Sequence, residues 1–367
     1  MKISLRGLAL LAASLLALSA TAAPRKTENV VFIVSDGLRW QEVFNGAEKS
    51  LLNDKEKNWR PVPELRQKYW NDDPKVRRKL LFPFLWGTIA TQGQIFGNPA
   101  LGSVASVQNP LWFSYPGYNE MTTGVVDPKI TKNEFGPNPN TTVYEWLNQQ
   151  PAFKGKVEVF GTWGVFHDIF NDKRSHLPVH AGPSIVDPTD RSPEGLMFEE
   201  LYRTTTHVED DDPFDAFLHV ALRRHLKSHH PRVLFVGYGD TDSWAHTGRY
   251  DLLMDTIQGF DAFVGDLWNQ MQAMPEYRGK TTFILTADHG RGNAPVKWME
   301  HGVEQPGSDK IWVAMMGPDT PALGERSNVP AITQAQLAAT VADLLGLDYR
   351  KAKPEAAPSM LPLVEKK

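Results

Sequence analysis

No cysteine occurs among the 367 residues. That absence removes disulfides from the fold, thiolates from the possible metal ligands and nucleophiles, and a lipidated cysteine as an anchor. Positive charge is in short supply as well: 39 Lys and Arg stand against 43 Asp and Glu, a formal net charge of −4. Such a surface gives no electrostatic reason to bind nucleic acid. Low-complexity tracts, internal repeats and long apolar runs are missing too, with one exception at the start. Lys2 and Arg6, the apolar run Gly7 to Ala20 and the small residues Ala20-Thr21-Ala22-Ala23 have the layout of a secretory signal peptide. The run is shorter than the roughly 20 residues a spanning helix needs. The expectation is export across the inner membrane, cleavage after Ala22 or Ala23, and a soluble periplasmic product with no membrane span.

What remains is histidine, carboxylate and hydroxyl chemistry on a chain rich enough in Trp (11) and Phe (18) to pack a substantial core. Short β-branched runs predict buried strands at Val30 to Val34, Val157 to Phe160, Val233 to Val236, Thr282 to Thr286 and Ile311 to Met316. Helical patterns fall between and after them, at Thr142 to Gln149, Phe214 to Lys227, Leu252 to Met274 and Thr333 to Leu345. Alternation of this kind predicts an α/β fold, a mostly parallel central sheet flanked by helices on both faces. One catalytic domain over 24–350 follows a leader at 1–23 and precedes a C-terminal tail at 351–367. Two stretches break the alternation, 48–79 and 167–212, and are expected to be insertions or lids. The acidic run Glu209 to Asp212 reads as a solvated loop.

Ligands of parallel sheets bind at the carboxyl ends of the strands, and there the polar residues gather. Asp36 follows the first run, Asp240 and Asp242 the third, Asp288 and His289 the fourth. Each taken alone has a plainer explanation. Asp36 could cap a turn, and Asp288-His289-Gly290 could be a capped turn with a surface histidine. Asp242 and His246, four apart on one helical face, could be an ion pair. His301, in Trp298-Met299-Glu300-His301-Gly302, is a weak signal by itself. Ser114 could be a simple helix N-cap, with Pro116 in the first turn. A hydroxyl at a helix start is also where a phosphoryl group is stabilised. Together, three carboxylates and three imidazoles suffice for two divalent ions of the Zn²⁺ type, with Mn²⁺ or Fe²⁺ also compatible. Two such ions can activate a hydroxyl and stabilise an in-line displacement.

In this order the motifs resemble the alkaline phosphatase superfamily, and within it the nucleotide pyrophosphatase/phosphodiesterase-like branch. The similar stretches are Val31-Phe32-Ile33-Val34-Ser35-Asp36-Gly37, Ser114 before Tyr115-Pro116, Asp242 to His246, Asp288-His289-Gly290 and His301-Gly302. The resemblance implies one metal on Asp36, Ser114, Asp288 and His289 and another on Asp242, His246 and His301. It also implies Ser114 as the nucleophile toward a small phosphate ester, mono- or diester, through a phosphoseryl intermediate. Two features depart from that branch: the nucleophile is Ser where Thr is common, and Gly117-Tyr118 follows the proline. Asn119, Asn133 and Asn138 are the candidates for a phosphate-contacting asparagine. Tyr115, Trp163, Phe166 and His167 are candidate pocket residues. The rival readings are a sulfatase or phosphonate hydrolase of the same fold, and a catalytically inactive metal-containing binding protein. Sulfatases carry Cys/Ser-x-Pro-x-Arg, and here Tyr118 stands in place of the arginine.

Overall fold

The computed structural model describes residues 25–207 and 212–366. The leader expected at 1–23 lies outside them, as does most of the acidic run. No described helix is long and apolar enough to cross a membrane.

Among the described residues, eleven strands form two sheets: β1 Asn29–Ser35, β2 Gln94–Phe96, β3 Ala105–Ser106, β4 Val157–Gly161, β5 Val179–Ala181, β6 Val233–Tyr238, β7 Thr281–Thr286, β8 Lys310–Ile311, β9 Val313–Met316, β10 Gly324–Glu325 and β11 Ile332–Thr333. The main sheet has the order β10-β2-β9-β7-β1-β6-β4-β5, and a small one has β11-β3-β8. Only β9 runs against the rest of the main sheet. Every residue of β1, β4, β6 and β7 is buried. These strands are mostly apolar because both faces of the sheet are covered, with Asn29, Ser35, Glu158, Thr281, Thr282 and Thr286 as buried polar exceptions. Phe32 and Phe235 stack across β1 and β6 at 5.8 Å, and Tyr144 and Phe170 pack edge-on around them.

The helices Val143–Asn148, Asp215–His225, Tyr250–Ala273 and Gln336–Leu344 occupy the segments expected. Three segments differ from the sequence reading. The run Ile311 to Met316 is two strands, because Ile311 pairs with Ala105 in the small sheet and Val313 with Phe96 in the large one. Buried Trp312 marks the change of partner, and its indole N–H donates to the Leu38 carbonyl at 3.2 Å. The stretch 167–212 is more than a cover, since it supplies β5, an edge strand paired in register with β4. The stretch 48–79 folds into short helices that bury Leu51, Leu52, Leu65 and Tyr69. Tyr69 and Arg60 tie it to Asp255 of the Tyr250–Ala273 helix, and Lys57 and Trp59 come up beside His246. The segment from 351 onward packs back on the domain, with Met360, Leu361 and Val364 buried and the Gln94 amide donating to the Val364 carbonyl at 2.8 Å.

Candidate metal centre

Register brings the first residues of the site together. Ser35 lies opposite Tyr238 and Val34 opposite Thr286, so Asp36, Asp240 and Asp288 leave the sheet side by side at its carboxyl edge. The turn after β1 is tight: Gly37 has φ +59°, and its N–H donates to Asp288 Oδ1 at 2.9 Å. A Cβ at Gly37 would stand 2.6 Å from Asp242 Oδ1 and 2.7 Å from Arg291 Nε, so only glycine lets this turn close on both. Asp242 and His246 lie on the Asp240–His246 helix that follows β6, their facing atoms 3.2 Å apart.

His289 is the hub. Its Nδ1 lies 2.8 Å from the Gly290 carbonyl, which places the proton on Nδ1 and leaves Nε2 as an acceptor or ligand. Around Nε2 stand Asp36 Oδ1 at 3.3 Å, Asp288 Oδ2 at 3.4 Å and Ser114 Oγ at 3.4 Å. Asp242 Oδ1 is 3.9 Å from it and 4.0 Å from His301 Nε2. His301 Nε2 in turn sits 3.0 Å from His246 Nε2. Two groups result, Asp36–Asp242–His289 and Asp242–His246–His301, each with its ligand atoms within 4.8 Å of one another. Every candidate ligand named from the sequence is therefore in one neighbourhood, with Asp242 between the two groups.

Electrostatics at the site call for a cation. Asp36 Oδ1 and Asp288 Oδ2 are buried without a hydrogen-bond partner. Burial, and then the charge of Asp36, pushes the Asp288 carboxyl up to about 8. Burial opposes charge on His289, but Asp288 and Asp36 raise it to about 9. Burial also acts upward on Asp36, yet the His289 contact and the Tyr118 hydroxyl hold its carboxyl below the usual range. Burial, followed by the charges of His289 and Arg291, depresses His301. Carboxylates crowded in a dry site repel one another unless a cation sits among them. Mixed imidazole and carboxylate donors suit borderline divalent ions, so the residues present fit the metals the resemblance implies.

Ser114 is the first helical residue of Ser114–Thr123 and not its N-cap; Phe113 takes that position with φ −143° and ψ 177°. The chain reaches it through Trp112, whose φ of 54° is strained for a bulky side chain. Asn109 Oδ1 holds that turn by accepting from the Leu111 and Trp112 N–H groups, both at 3.1 Å. Buried Glu120 accepts from the Gln108 and Asn109 N–H groups and fixes the loop to the same helix. Freed from capping, the serine hydroxyl faces His289 at the helix start. It shares a cavity of about 240 Å³ with Asp36, Asn133, Glu134, Trp163 and Asp240.

Of the three asparagines, only Asn133 lines that cavity; its Oδ1 accepts from the Tyr115 N–H at 3.0 Å. Asn119 and Asn138 bond each other and nearby carbonyls instead. Trp163 borders the cavity, whereas Tyr115 and Phe166 are core and His167 pairs with Asp172 at 2.6 Å. Asp212 also lines the cavity, with Oδ1 accepting from the Gly164 N–H at 2.9 Å, so this end of the acidic run is not simply solvated.

Three residues of the site are not among the site residues expected from the sequence. Tyr118, one helical turn after Ser114, donates to Asp36 Oδ2 at 2.9 Å. Arg291, two residues after His289, is buried against Asp242 and donates to the Met299 carbonyl at 2.6 Å. Asp215 accepts from the Gly239 N–H at 2.8 Å and the Asp240 N–H at 3.2 Å, and burial raises its carboxyl to about 7. The i,i+4 spacing from Ser114 could have flagged Tyr118. Asp215 is near only in space.

Residues 205–349 match the model of the Metalloenzyme superfamily. No curated protein matches the chain. Among solved structures, a variant of the alkaline phosphatase PafA is similar with a TM-score of 0.55 at 12% identity, covering 89% of this chain and 97% of that one. BT1596, a 2-O GAG sulfatase, gives 0.56 at 14%, over 92% and 74%. The phosphonate monoester hydrolase of Agrobacterium radiobacter gives 0.53 at 14%, over 92% and 77%. These likenesses establish architecture, and none of the three names the nucleotide pyrophosphatase/phosphodiesterase-like branch. The two ligand clusters and the Metalloenzyme match together support binding of divalent metal. The chain thus has the fold of the alkaline phosphatase superfamily, with two candidate metal-ligand clusters at the carboxyl end of its central sheet.

Proposed function

We propose that this chain is an exported two-metal hydrolase of small phosphate esters, with Ser114 as its nucleophile. The observation that carries the reading is the position of the Ser114 hydroxyl, at a helix start, 3.4 Å from His289 Nε2 and on the wall of a cavity shared with Asp36. Asp36, Ser114, Asp288 and His289 would hold one ion and Asp242, His246 and His301 the other. Bound there, the ions supply Lewis acidity and lower the pKa of a serine hydroxyl, which is why no separate base is needed.

The chain's own groups do the rest. Ser114 Oγ attacks phosphorus, the phosphoseryl bond forms, and the alcohol leaves; water later cleaves that bond to release phosphate and restore the serine. The Ser114 backbone N–H at the helix start can face the phosphoryl oxygens, since the Tyr115 N–H goes to Asn133 Oδ1 and Pro116 has none. Asn133, its Oδ1 held by the Tyr115 N–H, can present its amide N–H groups to the same oxygens. Tyr118 orients Asp36 through its hydrogen bond and stands where the sulfatase pattern has arginine, a departure from that pattern which favours the phosphate-ester reading. Carboxylates around the cavity, Glu134 and Asp240, disfavour a leaving group that carries further negative charge. The similarity of motifs to the nucleotide pyrophosphatase/phosphodiesterase-like branch leaves both mono- and diesters within this reading.

The test is a panel of nitrophenyl phosphate, bis-nitrophenyl phosphate, phenyl phosphonate and nitrophenyl sulfate, run on Zn²⁺- or Mn²⁺-loaded wild type and Ser114→Ala. Wild type is expected to turn over at least one phosphate ester and the variant to lose that turnover. Preference for the sulfate would overturn the substrate class. Wild-type rates in Ser114→Ala would overturn the nucleophile, and a metal-loaded wild type inert on all four would favour a binding protein.

A further inference from the structure

A second set of metal-type ligands lies elsewhere on the sheet. Glu158 is the second residue of β4, His180 is the middle residue of β5, and His225 ends the Asp215–His225 helix. Their ligand atoms all lie within 4.8 Å of one another. Glu158 and Phe160 point to one face of β4, and His180 pairs in register with Phe160, so the two strands aim their side chains at the same space. The helix places His225 above them. Glu158 pairs with Leu234, four residues before the Tyr238 end of β6, which puts this cluster roughly 13 Å short of the carboxyl edge where Ser114 and His289 meet.

The contacts inside the cluster are not those of an ordinary hydrogen-bonded pair. Glu158 Oε2 is 2.6 Å from His225 Nε2 and 3.7 Å from His180 Nε2. Yet all three atoms are buried and none makes a hydrogen bond of acceptable geometry. Two imidazole nitrogens and a carboxylate oxygen are thus gathered within 4.8 Å of one another. A tetrahedral Zn²⁺-type ion needs ligand atoms about 3.3 Å apart, within reach of the observed spacing after a small adjustment. Stacking sets the rings: His180 lies on Phe160 at 4.4 Å, and His225 lies between Phe160 at 5.2 Å and His229 at 4.0 Å. A cavity of about 420 Å³ opens on His180 and His225, so a fourth position is left to water.

We propose that Glu158, His180 and His225 form a further metal site, specific for a borderline divalent transition ion such as Zn²⁺ and independent of the Ser114 centre. An ion there joins β4, the edge strand β5 and the Asp215–His225 helix, three segments far apart in sequence. It fastens the edge strand β5 to its neighbour β4 and to the helix packed over that face of the sheet. With three protein ligands and one water, the site is a staple with an open face.

The test is equilibrium dialysis of the full chain against Zn²⁺ followed by metal analysis, on wild type, Glu158→Gln, His180→Gln and His229→Ala. Each is also made on an Asp242→Asn, His289→Ala background that disables the carboxyl-edge centre. One Zn²⁺ per chain is expected to persist in that background and to vanish on adding Glu158→Gln or His180→Gln, while His229→Ala retains it. In the otherwise wild-type chain, the same two substitutions lose one ion and abolish part of the Zn²⁺-induced rise in melting temperature. Far-ultraviolet circular dichroism in metal-free buffer verifies that each variant is folded, and His180→Gln, at a half-buried position, is the mildest. A folded background chain that binds no Zn²⁺, or one that keeps its ion after both substitutions, overturns the proposal and leaves an ion pair. Because the background lacks the catalytic ligands, this result stands or falls apart from the esterase reading.

Discussion

The carboxyl edge of the sheet and the β4–β5 edge each gather histidine and carboxylate, but they are built differently. At the carboxyl edge Asp36, Asp288 and His289 come from the turns after β1 and β7, where Gly37 lets the backbone close, while Asp242 and His246 come from the helix after β6 and Ser114 from a helix start. At the β4–β5 edge they come from within elements, two from strand interiors and one from a helix end. Turn-borne ligands can shift by a few degrees of backbone and so suit reacting groups. Ligands fixed within elements hold those elements together. On the two proposals above, one fold uses similar donors for chemistry in one place and for bracing in another.

The sharpest way to break that contrast is the nucleophile. Ser114→Ala is expected to lower kcat for an aryl phosphate by on the order of 10⁴-fold or more, read by initial rates at saturating metal. Glu158→Gln is expected to leave kcat within about twofold while losing an ion, since its ion-pair partners are His180 and His225 and it lies about 13 Å from the carboxyl edge. Equal losses in the two variants would erase the distinction between the regions.

Tyr118→Phe sharpens it further. Removing the hydroxyl that donates to Asp36 Oδ2 is expected to cost about 10- to 100-fold in activity or metal affinity. Turnover against Zn²⁺ concentration separates the two effects. An unchanged metal dependence and rate would show that Asp36 needs no such support. Gly37→Ala is expected to destabilise the chain by about 1–3 kcal/mol, because a Cβ enters both the positive-φ turn and the Asp242–Arg291 contact. A urea melt measures it, with the activity loss exceeding the stability loss.

The effect furthest from the contrast is a pH background outside both regions. Burial raises the carboxyl of Asp261 to about 6, although it accepts from the Phe84 and Leu85 N–H groups. The folded chain therefore holds that proton more tightly than the unfolded one, whose carboxyl titrates near 3.8. This contribution is fully present below about pH 4 and is lost as pH rises through about 6, on the order of 2–3 kcal/mol. Asp261→Asn should flatten the fall of melting temperature between those values. An unaltered slope would assign it to other groups.

The centre was legible because its parts sit on strand ends and obey local spacing. Asp242 and His246 share a helical face at four residues apart, and Asp288-His289-Gly290 is a compact turn. Less local features were hidden. The split at Trp312 depends on which neighbour each half of the run meets, and β5 is too short to show a period within a proline-containing stretch. The N-cap at Phe113 instead of Ser114 follows from the Trp112 turn, which Asn109 and Glu120 impose from outside.

By itself, the sequence determined the alternation of strand and helix, the absence of thiol chemistry, and the identities of the residues that could carry a metal-assisted displacement. These are properties of composition and of periodicities over a few residues. Tertiary structure decided which of them meet: Asp242 between His289 and His301, Tyr118 on Asp36, Arg291 on Asp242, and Glu158 with His180 and His225. The physical reason is that contact between distant residues is set by strand order, register and burial, which no local pattern encodes.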